Sequence, residues 1–522
     1  MSLLNKTFVL NLGANMASFL LSVLFSMWLT PYVIKTLGVE AFGFVHLTQN
    51  MINYFSIITV ALSAVVVRFF SVSAHRGALD EARGYMNTYI VSSLVLSVIL
   101  FFPLGGTVFF IDQIIRVPAG LLGDVQVALL IGSLLFLLTF VMSGFAAGPF
   151  FANKIYITST IQAIQMLIRV LSVLLIFAWF APKIWHIQLA ALIATASACI
   201  LSIFFFKRLI PWFTFRVRDM SFAKCKKLLQ AGGWSSVSQV GILLFLQIDL
   251  MVANVMLGVS ESGMYAAIIQ FPLLLRTLSG TLAAVFSPTI TLYYSKGDKE
   301  GLVRYANQAV RFNGILLALP AALLGGLAGP FLSLWLGPSF EHLKWLLLIH
   351  AGYLVVSLSP APLFYIFTAY NKLRTPALTT VAFGVVNLLL AIVLSGPAGL
   401  GLYGIALAGA AALTLKNVVF TPIYASKITG ERKRVFYKGI YGPVAGASFT
   451  LAVCYALQYL FQYLFSIVSL LSLFVTALAA TLAYGLFAYF VMLTKAERRI
   501  VTTKLQAYRC SLSFPFQKGF FK

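Results

Sequence analysis

The sequence predicts an all-α, polytopic membrane protein of about fourteen transmembrane helices. They are arranged as two parallel six-helix bundles related by a pseudo-two-fold axis along the membrane normal, with two further helices at the C-terminal end. Three observations carry this prediction. The chain of 522 residues is 61% hydrophobic and only 10% charged, which leaves too little polar surface to clothe a water-soluble globule of that length. Its apolar residues fall in continuous runs of the ~20 residues that a helix needs to cross hydrocarbon, without the strict alternation of barrel strands. Finally, residues Gly13–Gly43 recur without a gap at Gly233–Gly263, an offset of 220 positions.

Taken in order, the runs lie near 8–34, 42–69, 86–111, 125–150, 158–181, 186–206, 234–257, 263–288, 312–335, 344–369, 377–396, 402–424, 440–463 and 467–493. Most of the 37 Lys and Arg residues lie at the N-terminus, in every second connection and in the C-terminal tail, among them Arg76, Arg83, Lys154, Lys207, Arg208, Lys226, Lys227, Lys296, Lys372 and Lys433. The alternate connections carry only Lys35, Arg116, Lys183 and Lys344. By the positive-inside bias both termini of this multi-pass protein are expected in the cytoplasm. The net charge of +24 then reflects this bias and attraction to the anionic inner leaflet, so no nucleic-acid partner is implied. The first apolar run is too long for a signal-peptide core and is expected to stay in the membrane. Cys199, Cys225, Cys454 and Cys510, and the five His residues His46, His75, His186, His342 and His350, are scattered; neither a disulfide framework nor a metal site is expected.

The repeat organises the rest. Its clearest part is Leu37, Gly38, Val39 and Gly43 against Leu257, Gly258, Val259 and Gly263, joined at the same offset by Gly13/Gly233, Ser18/Ser238, Leu24/Leu244 and Phe25/Phe245. Glycines at common spacing near two helix ends argue for duplication more strongly than matched Leu or Phe would. Six spans separate the copies, an even number, so both cross in the same direction. The expected division is an N-terminal lobe 1–207, a linker 208–232, a second lobe 233–425, and 426–522 with two helices and a basic tail. Within the linker, Arg208, Arg216, Arg218, Lys224, Lys226 and Lys227 interleave with Trp212, Phe213, Phe215 and Phe222, a pattern that reads as a cytoplasmic connection with an interfacial amphipathic segment.

Several short stretches resemble a known family. They are Asn11-x-Gly13, the helix close Pro31-Tyr32 with Leu37-Gly38-Val39-Glu40-Ala41-Phe42-Gly43, the exit Arg68-Phe69-Phe70, the second-half start Gly232-Gly233-Trp234, and Asp249 through Leu257-Gly258 to Gly263-Met264-Tyr265. Together they look like the polysaccharide-transporter, or Wzx-type oligosaccharide flippase, branch of the multidrug/oligosaccharidyl-lipid/polysaccharide exporter superfamily. The helix count and the two halves extend the resemblance over essentially the whole chain. It implies a flippase that moves an undecaprenyl-pyrophosphate-linked oligosaccharide from the cytoplasmic to the periplasmic leaflet for surface-glycan assembly, with membrane lipids and glycan-assembly proteins as partners. Related flippases couple to cations, so Na⁺ or H⁺ is an implied partner too.

The residues are compatible with that task. A charged, hydroxyl-rich headgroup is costly to strip of water and needs a polar path. Asn11, Asn15, Ser18, Ser22 and Ser26 share one face of the first helix, and Gln49, Asn53, Ser56 and Ser63 follow compatible spacing on the second; such stripes line a wet interior or bind helices together. Four ionisable residues lie deep in the spans: Arg169, Asp249, Arg276 and Lys416. Each costs about 2.5–3.5 kcal/mol at a helix centre on insertion scales, so each should face a cavity or a partner. Arg276, Arg169 and Lys416, with Asn11, Asn15, Gln49 and Asn53, are the candidate headgroup ligands, Arg276 first because a guanidinium matches phosphate oxygens. The competing reading pairs Asp249 with Arg276 or Lys416. Asp249 falls where the first copy has Leu29; with Gln247, Asn254 or Asn387 it is the candidate ion-coupling group. Helices one, two, seven and eight are expected to line a central cationic chamber.

Other motifs carry less. Gly399-x-Gly401-x-x-Gly404 satisfies a dinucleotide fingerprint but falls in a turn between two spans, with no strand before it. There is no phosphate-binding loop for ATP, no cofactor motif and no pair of carboxylates suited to catalysis, so a transporter rather than an enzyme is expected. The alternatives are a peptidoglycan lipid-precursor flippase, a multidrug-type cation-coupled exporter, and an integral-membrane glycan polymerase or glycosyltransferase. One chain supplies both halves of a transport unit, so a monomer is expected.

Overall fold

A computed structural model describes residues 6–465, 470–493 and 498. Among these residues the secondary structure is helical throughout, with no strand. Thirteen helices are long and apolar enough to cross a membrane, and a helix pair bent by 45° at Gln247 makes a fourteenth. The helix number therefore agrees with the apolar runs. The tail after Thr494 and Cys510 lie outside the described residues, apart from Arg498.

The chain forms two compact units, 1–274 with 372–416, and 275–371 with 417–522. The division expected from the repeat falls at 207, 232 and 425, whereas packing divides the chain inside the eighth and twelfth helices.

In the first unit the spans are Lys6–Leu37, Val39–Asn53 continued by Ser56–His75, Leu79–Phe109, Leu122–Met142 continued by Ala147–Phe151, Ile155–Trp179, Ile184–Leu209, and the bent seventh span, Phe222–Leu246 and Ile248–Val252. The beginning of Val259–Ser295, then Arg374–Ser395 and Gly401–Thr414, complete it. Gly38 and Gly258, matched in the repeat, both turn the chain at positive φ, 90° and 112°; only glycine takes these angles without strain. The copies meet at a second matched pair. A Cβ on Gly43 would lie 2.8 Å from Gly263 Cα, and one on Gly263 would lie 2.3 Å from the Val39 carbonyl oxygen. The seventh span packs on the second and eleventh through the same device: a Cβ on Gly232 would fall 1.8 Å from Ala61 O, and one on Gly241 2.7 Å from the Thr380 carbonyl carbon. Close backbone approach of this kind is how helices associate in lipid, where no hydrophobic force separates protein from solvent. The Gly399–Gly404 stretch is the turn expected: Gly399 and Gly401 have positive φ, and Gly404 abuts Leu394.

The linker differs from its expected form. Residues 210–221 contain only a short 3-10 turn, Val217–Asp219, and are pinned to the third span. Arg83 donates to Trp212 O, Asn87 to Thr214 O and Asp219 Oδ2, and the Ser221 amide to Thr88 Oγ1. Trp212 stacks on Phe70, centroids 5.8 Å apart and planes 5° apart. The helical part, from Phe222 onward, is the uninterrupted start of the seventh span, with Ser221 as its N-cap. A separate interfacial helix is therefore not what the amphipathic pattern encodes. Of the aromatic residues of the pattern, Trp212 and Phe213 reach inward to Phe70 and Phe206, whereas Phe215 and Phe222 are exposed, as are the basic residues other than Lys224, which lies over the Tyr85 ring.

The second unit contains the remainder of Val259–Ser295, then Lys299–Gly326, the short Ala328–Trp335, Lys344–Leu358 continued by Phe364–Ala369, Thr421–Thr429, Lys438–Phe465 and Leu470–Phe487. The ninth helix starts at Lys299, earlier than its apolar run, so Arg311 is well inside it. The tenth helix breaks after Leu358 because Pro362, four residues on, has no N–H to offer the Leu358 carbonyl. Asn313 supplies the missing donor at 2.8 Å and also bonds Ser279 Oγ at 3.3 Å, tying the eighth, ninth and tenth helices together.

Two substitutions test these contacts by thermal denaturation of the detergent-solubilised protein. Gly232→Ala is expected to lower stability by about 1–3 kcal/mol through forced backbone separation; an unchanged Tm would contradict the close approach to Ala61. Asn313→Leu is expected to cost about 1–3 kcal/mol by leaving the Leu358 carbonyl only the long 3.4 Å bond from Ser279 Oγ, whereas a neutral effect would mean that this bond suffices.

Candidate functional site

The bend of the seventh span gathers a cluster of buried polar groups in the first unit. The break falls between Leu246 and Ile248, so the Leu244 carbonyl loses its helical partner at residue 248; Asn387 Nδ2, from the eleventh span, donates to it at 2.9 Å. The same amide donates to Asp249 Oδ1 at 3.0 Å, and Tyr265 Oη donates to Asp249 Oδ2 at 3.5 Å. Asn50, from the second span, donates to the Gln247 carbonyl at 3.4 Å. Asp249, Asn387 and Tyr265 are buried. Two buried amide oxygens at this locus, Gln247 Oε1 and Asn387 Oδ1, have no hydrogen-bond partner. A carboxylate with neutral oxygens that accept nothing is the donor set a hard cation takes. Lys416, in the π-helical segment Leu415–Phe420, holds its ammonium 5.8 Å from the ring centroid of Phe245, one turn before Asp249.

Asn254 is not part of this group. It is fully buried, accepts from the Arg116 amide at 2.9 Å and donates to Arg116 O and Ser262 Oγ at 3.4 Å. Its amide thus satisfies both main-chain groups of a non-helical residue, which is a structural task. Asn11 and Asn15 are also engaged elsewhere. Asn11 donates to Asn153 O and accepts from the Tyr156 amide at 2.9 Å, and Ser159 Oγ donates to Asn15 Oδ1 at 2.9 Å. They bind the first helix to the start of the fifth, the helix-binding alternative for that stripe. Gln49 donates to Asn53 Oδ1 at 3.2 Å, so these two candidates share one face of the second span.

Arg169, halfway along the fifth span, has a buried Nε without a hydrogen-bond partner. Its charge reaches His46 on the second span, a residue that sequence reasoning left among the scattered histidines.

In the second unit, Arg276 lies near the middle of the eighth helix and donates from Nη2 to Tyr353 Oη at 2.8 Å. His350 lies one turn before Tyr353, their ring centroids 6.0 Å apart, within electrostatic reach of the same guanidinium. One turn along from Arg276, Ser279 joins the Asn313 network. The i, i+3 spacing of His350 and Tyr353 was the available signal for this pair, but it does not reveal which cation they meet. Among the described residues no group of three or more His, Cys, Asp or Glu could hold a metal, and Cys199, Cys225 and Cys454 are free thiols.

The chain can be set beside known proteins. Residues 5–293 match the family model described as polysaccharide biosynthesis protein. An uncharacterized membrane protein, EpsK, of Bacillus subtilis (strain 168) is 61% identical over 499 residues, 96% of this chain and 98% of its own length. Among solved structures, an inward-facing multidrug resistance MATE family transporter of the MOP superfamily aligns with a TM-score of 0.62 at 14% identity, over 81% of this chain and 99% of its own. The lipid II flippase MurJ in an inward closed conformation aligns at 0.53 and 16% identity, over 89% and 98%. A MOP superfamily transporter from Pyrococcus furiosus aligns at 0.60 and 14%, over 81% and 96%. At such identities these likenesses establish the fold. The chain belongs to the polysaccharide biosynthesis protein family, as a multi-pass membrane protein with the fold of the MOP superfamily transporters.

Proposed function

We propose that this protein flips a lipid-linked oligosaccharide, carried on undecaprenyl pyrophosphate, from the cytoplasmic to the periplasmic leaflet for surface-polysaccharide assembly. The observation that carries the reading is Arg276, a half-buried guanidinium near mid-span that donates to a neutral phenol, that of Tyr353. A guanidinium has five N–H donors, and a pyrophosphate can use what Tyr353 leaves. Arg169, whose charge reaches His46, offers a second cationic station, and Lys416 a third. Gln49 and Asn53 remain candidates for sugar hydroxyls. Membership of a polysaccharide family favours a glycan over a drug as cargo, and cationic residues within the spans disfavour a cationic cargo. A peptidoglycan lipid precursor, which shares the pyrophosphate, is the second reading, favoured by the likeness to MurJ.

Asp249 with Asn387 and Gln247 is the proposed coupling site for Na⁺ or H⁺. In an inside-negative membrane, an anionic headgroup moving outward also gains about 2.3 kcal/mol per charge per 100 mV. Both termini are placed in the cytoplasm in this reading, by the lysine and arginine bias.

Two measurements in proteoliposomes test these roles. Translocation of a pyrophosphate-linked oligosaccharide should fall about tenfold or more in Arg276→Ala, roughly 1.4 kcal/mol of lost interaction, and a cationic dye should not be moved by the parent protein. Unchanged headgroup transport in the variant would remove Arg276 from the substrate role. Under an imposed Na⁺ or H⁺ gradient, Asp249→Asn should abolish the stimulation and leave the ungraded rate near its parental value; stimulation that persists would place coupling elsewhere.

A further inference from the structure

The second unit contains a cavity that the flipping site does not use. It measures about 340 Å³ and lies where the ninth helix ends and the short helix Ala328–Trp335 begins, against the tenth, thirteenth and fourteenth helices. It is therefore at the end of the ninth helix opposite the Lys296–Lys299 turn. Its walls combine two kinds of group. Trp345 and Tyr455 are 53% and 44% exposed, aromatic faces left without a complete packing partner. Around them stand Gln458, Thr476, Glu341 and Lys344.

The chemistry of the lining selects the ligand. A phosphate or carboxylate site concentrates cations and amide N–H groups, yet here one carboxylate, Glu341, balances one ammonium, Lys344, whose Nζ is 5.9 Å from the Trp345 ring centroid. A lipid tail would need an apolar trough without amide and hydroxyl groups. A sugar ring matches both kinds of wall, because its C–H face packs on an aromatic surface and its hydroxyls need donors and acceptors together. Gln458 is pre-positioned for this, its Nε2 donating to the Gly326 carbonyl at 2.5 Å, which completes the broken end of the ninth helix and fixes the plane of the amide. Thr476 Oγ1 donates to Ser472 O at 2.8 Å and so presents its oxygen as an acceptor. The volume is at the small end of the ~300–1,000 Å³ typical of ligand pockets, which suits one or two rings and not a long chain.

We propose that this cavity is a sugar-binding subsite that takes one or two pyranose units at the periplasmic end of the second unit. Resting on the flippase reading, it would receive the leading sugars of the glycan as the headgroup emerges. The ligand chemistry is that of an uncharged pyranose, whether attached to the lipid or free outside.

Saturation-transfer NMR on the full-length protein in lipid nanodiscs tests it with four probes: glucose, galactose, N-acetylglucosamine and N-acetylgalactosamine. At least one is expected to give ring-proton signal that falls fivefold or more in Trp345→Ala and in Glu341→Gln, the latter an exposed residue whose change does not threaten folding. Arg276→Ala is expected to keep the signal while losing translocation, so failure of the subsite and failure of the flippase reading are separately visible. No signal with any of the four sugars, or signal equal in parent and both variants, would overturn the subsite. In cells, lower surface-polysaccharide output in Trp345→Ala would assign the sugar to the cargo; normal output alongside lost binding would overturn that assignment and leave free sugar as the source.

Discussion

In hydrocarbon every main-chain N–H and C=O must be paired within the protein, and this fold depends on how that requirement is met where its helices break. Three of the breaks are each completed by a side-chain amide from another segment. Asn387 takes Leu244 O at the bend of the seventh span, Asn313 takes Leu358 O where Pro362 interrupts the tenth, and Gln458 takes Gly326 O at the end of the ninth. Asn254 serves both polar groups of Arg116 in a non-helical connection. An amide suits the task because it is uncharged, so its own burial cost is moderate, and it carries donor and acceptor at once.

Such breaks are where a membrane fold can support function. A continuous helix shows lipid or protein nothing but side chains, while an interrupted one brings carbonyl oxygens and their amide partners into the interior. The bend at Gln247 does this beside the carboxylate of Asp249, and the end of the ninth helix does it beside the aromatic cavity of Trp345 and Tyr455. The half-buried guanidinium of Arg276 follows a different logic. It is tied to Tyr353 on an intact stretch, one turn from the network that repairs the tenth helix, so the repair also stiffens the neighbourhood of the cation.

The sequence disclosed the parts of this plan that are set by solvent and chain entropy. Helix number follows from hydrophobic length, and Gly38 and Gly258 announced two positive-φ turns because few other residues tolerate them. Their companions Gly43 and Gly263 were legible as a repeat but not as a contact, since spacing gives no partner. The same limit explains the polar residues. Periodicity correctly put Asn11 and Asn15 on one face, but that face meets the fifth helix, and only tertiary structure says so. Asn254 was grouped with Asp249 by proximity in sequence, five residues apart, whereas the π-helical turn Ala253–Leu257 aims it at Arg116. Arg311 was hidden because the ninth helix begins before its apolar run. In the linker, an alternation of basic and aromatic residues fits a membrane surface and a protein surface equally well.

The repeat also locates where the two halves have diverged. In the first copy the positions matching Gln247, Asp249 and Asn254 are Met27, Leu29 and Ile34, all apolar, and the helix Lys6–Leu37 runs through them unbroken. The second copy has the polar residues and the bend together. Neither change is stable alone in a membrane: a carboxylate in an intact apolar helix has no partner, and a break without nearby polar groups strands carbonyls. Asn387 resolves both with one amide, through its bonds to Leu244 O and Asp249 Oδ1. A symmetric pair of smooth bundles would give a cation no reason to prefer one half. The break, the charge and the partnerless oxygens of Gln247 and Asn387 all fall in the second half, and under the proposed coupling a cation bound there would shift the transport equilibrium only by its differential affinity for the two states.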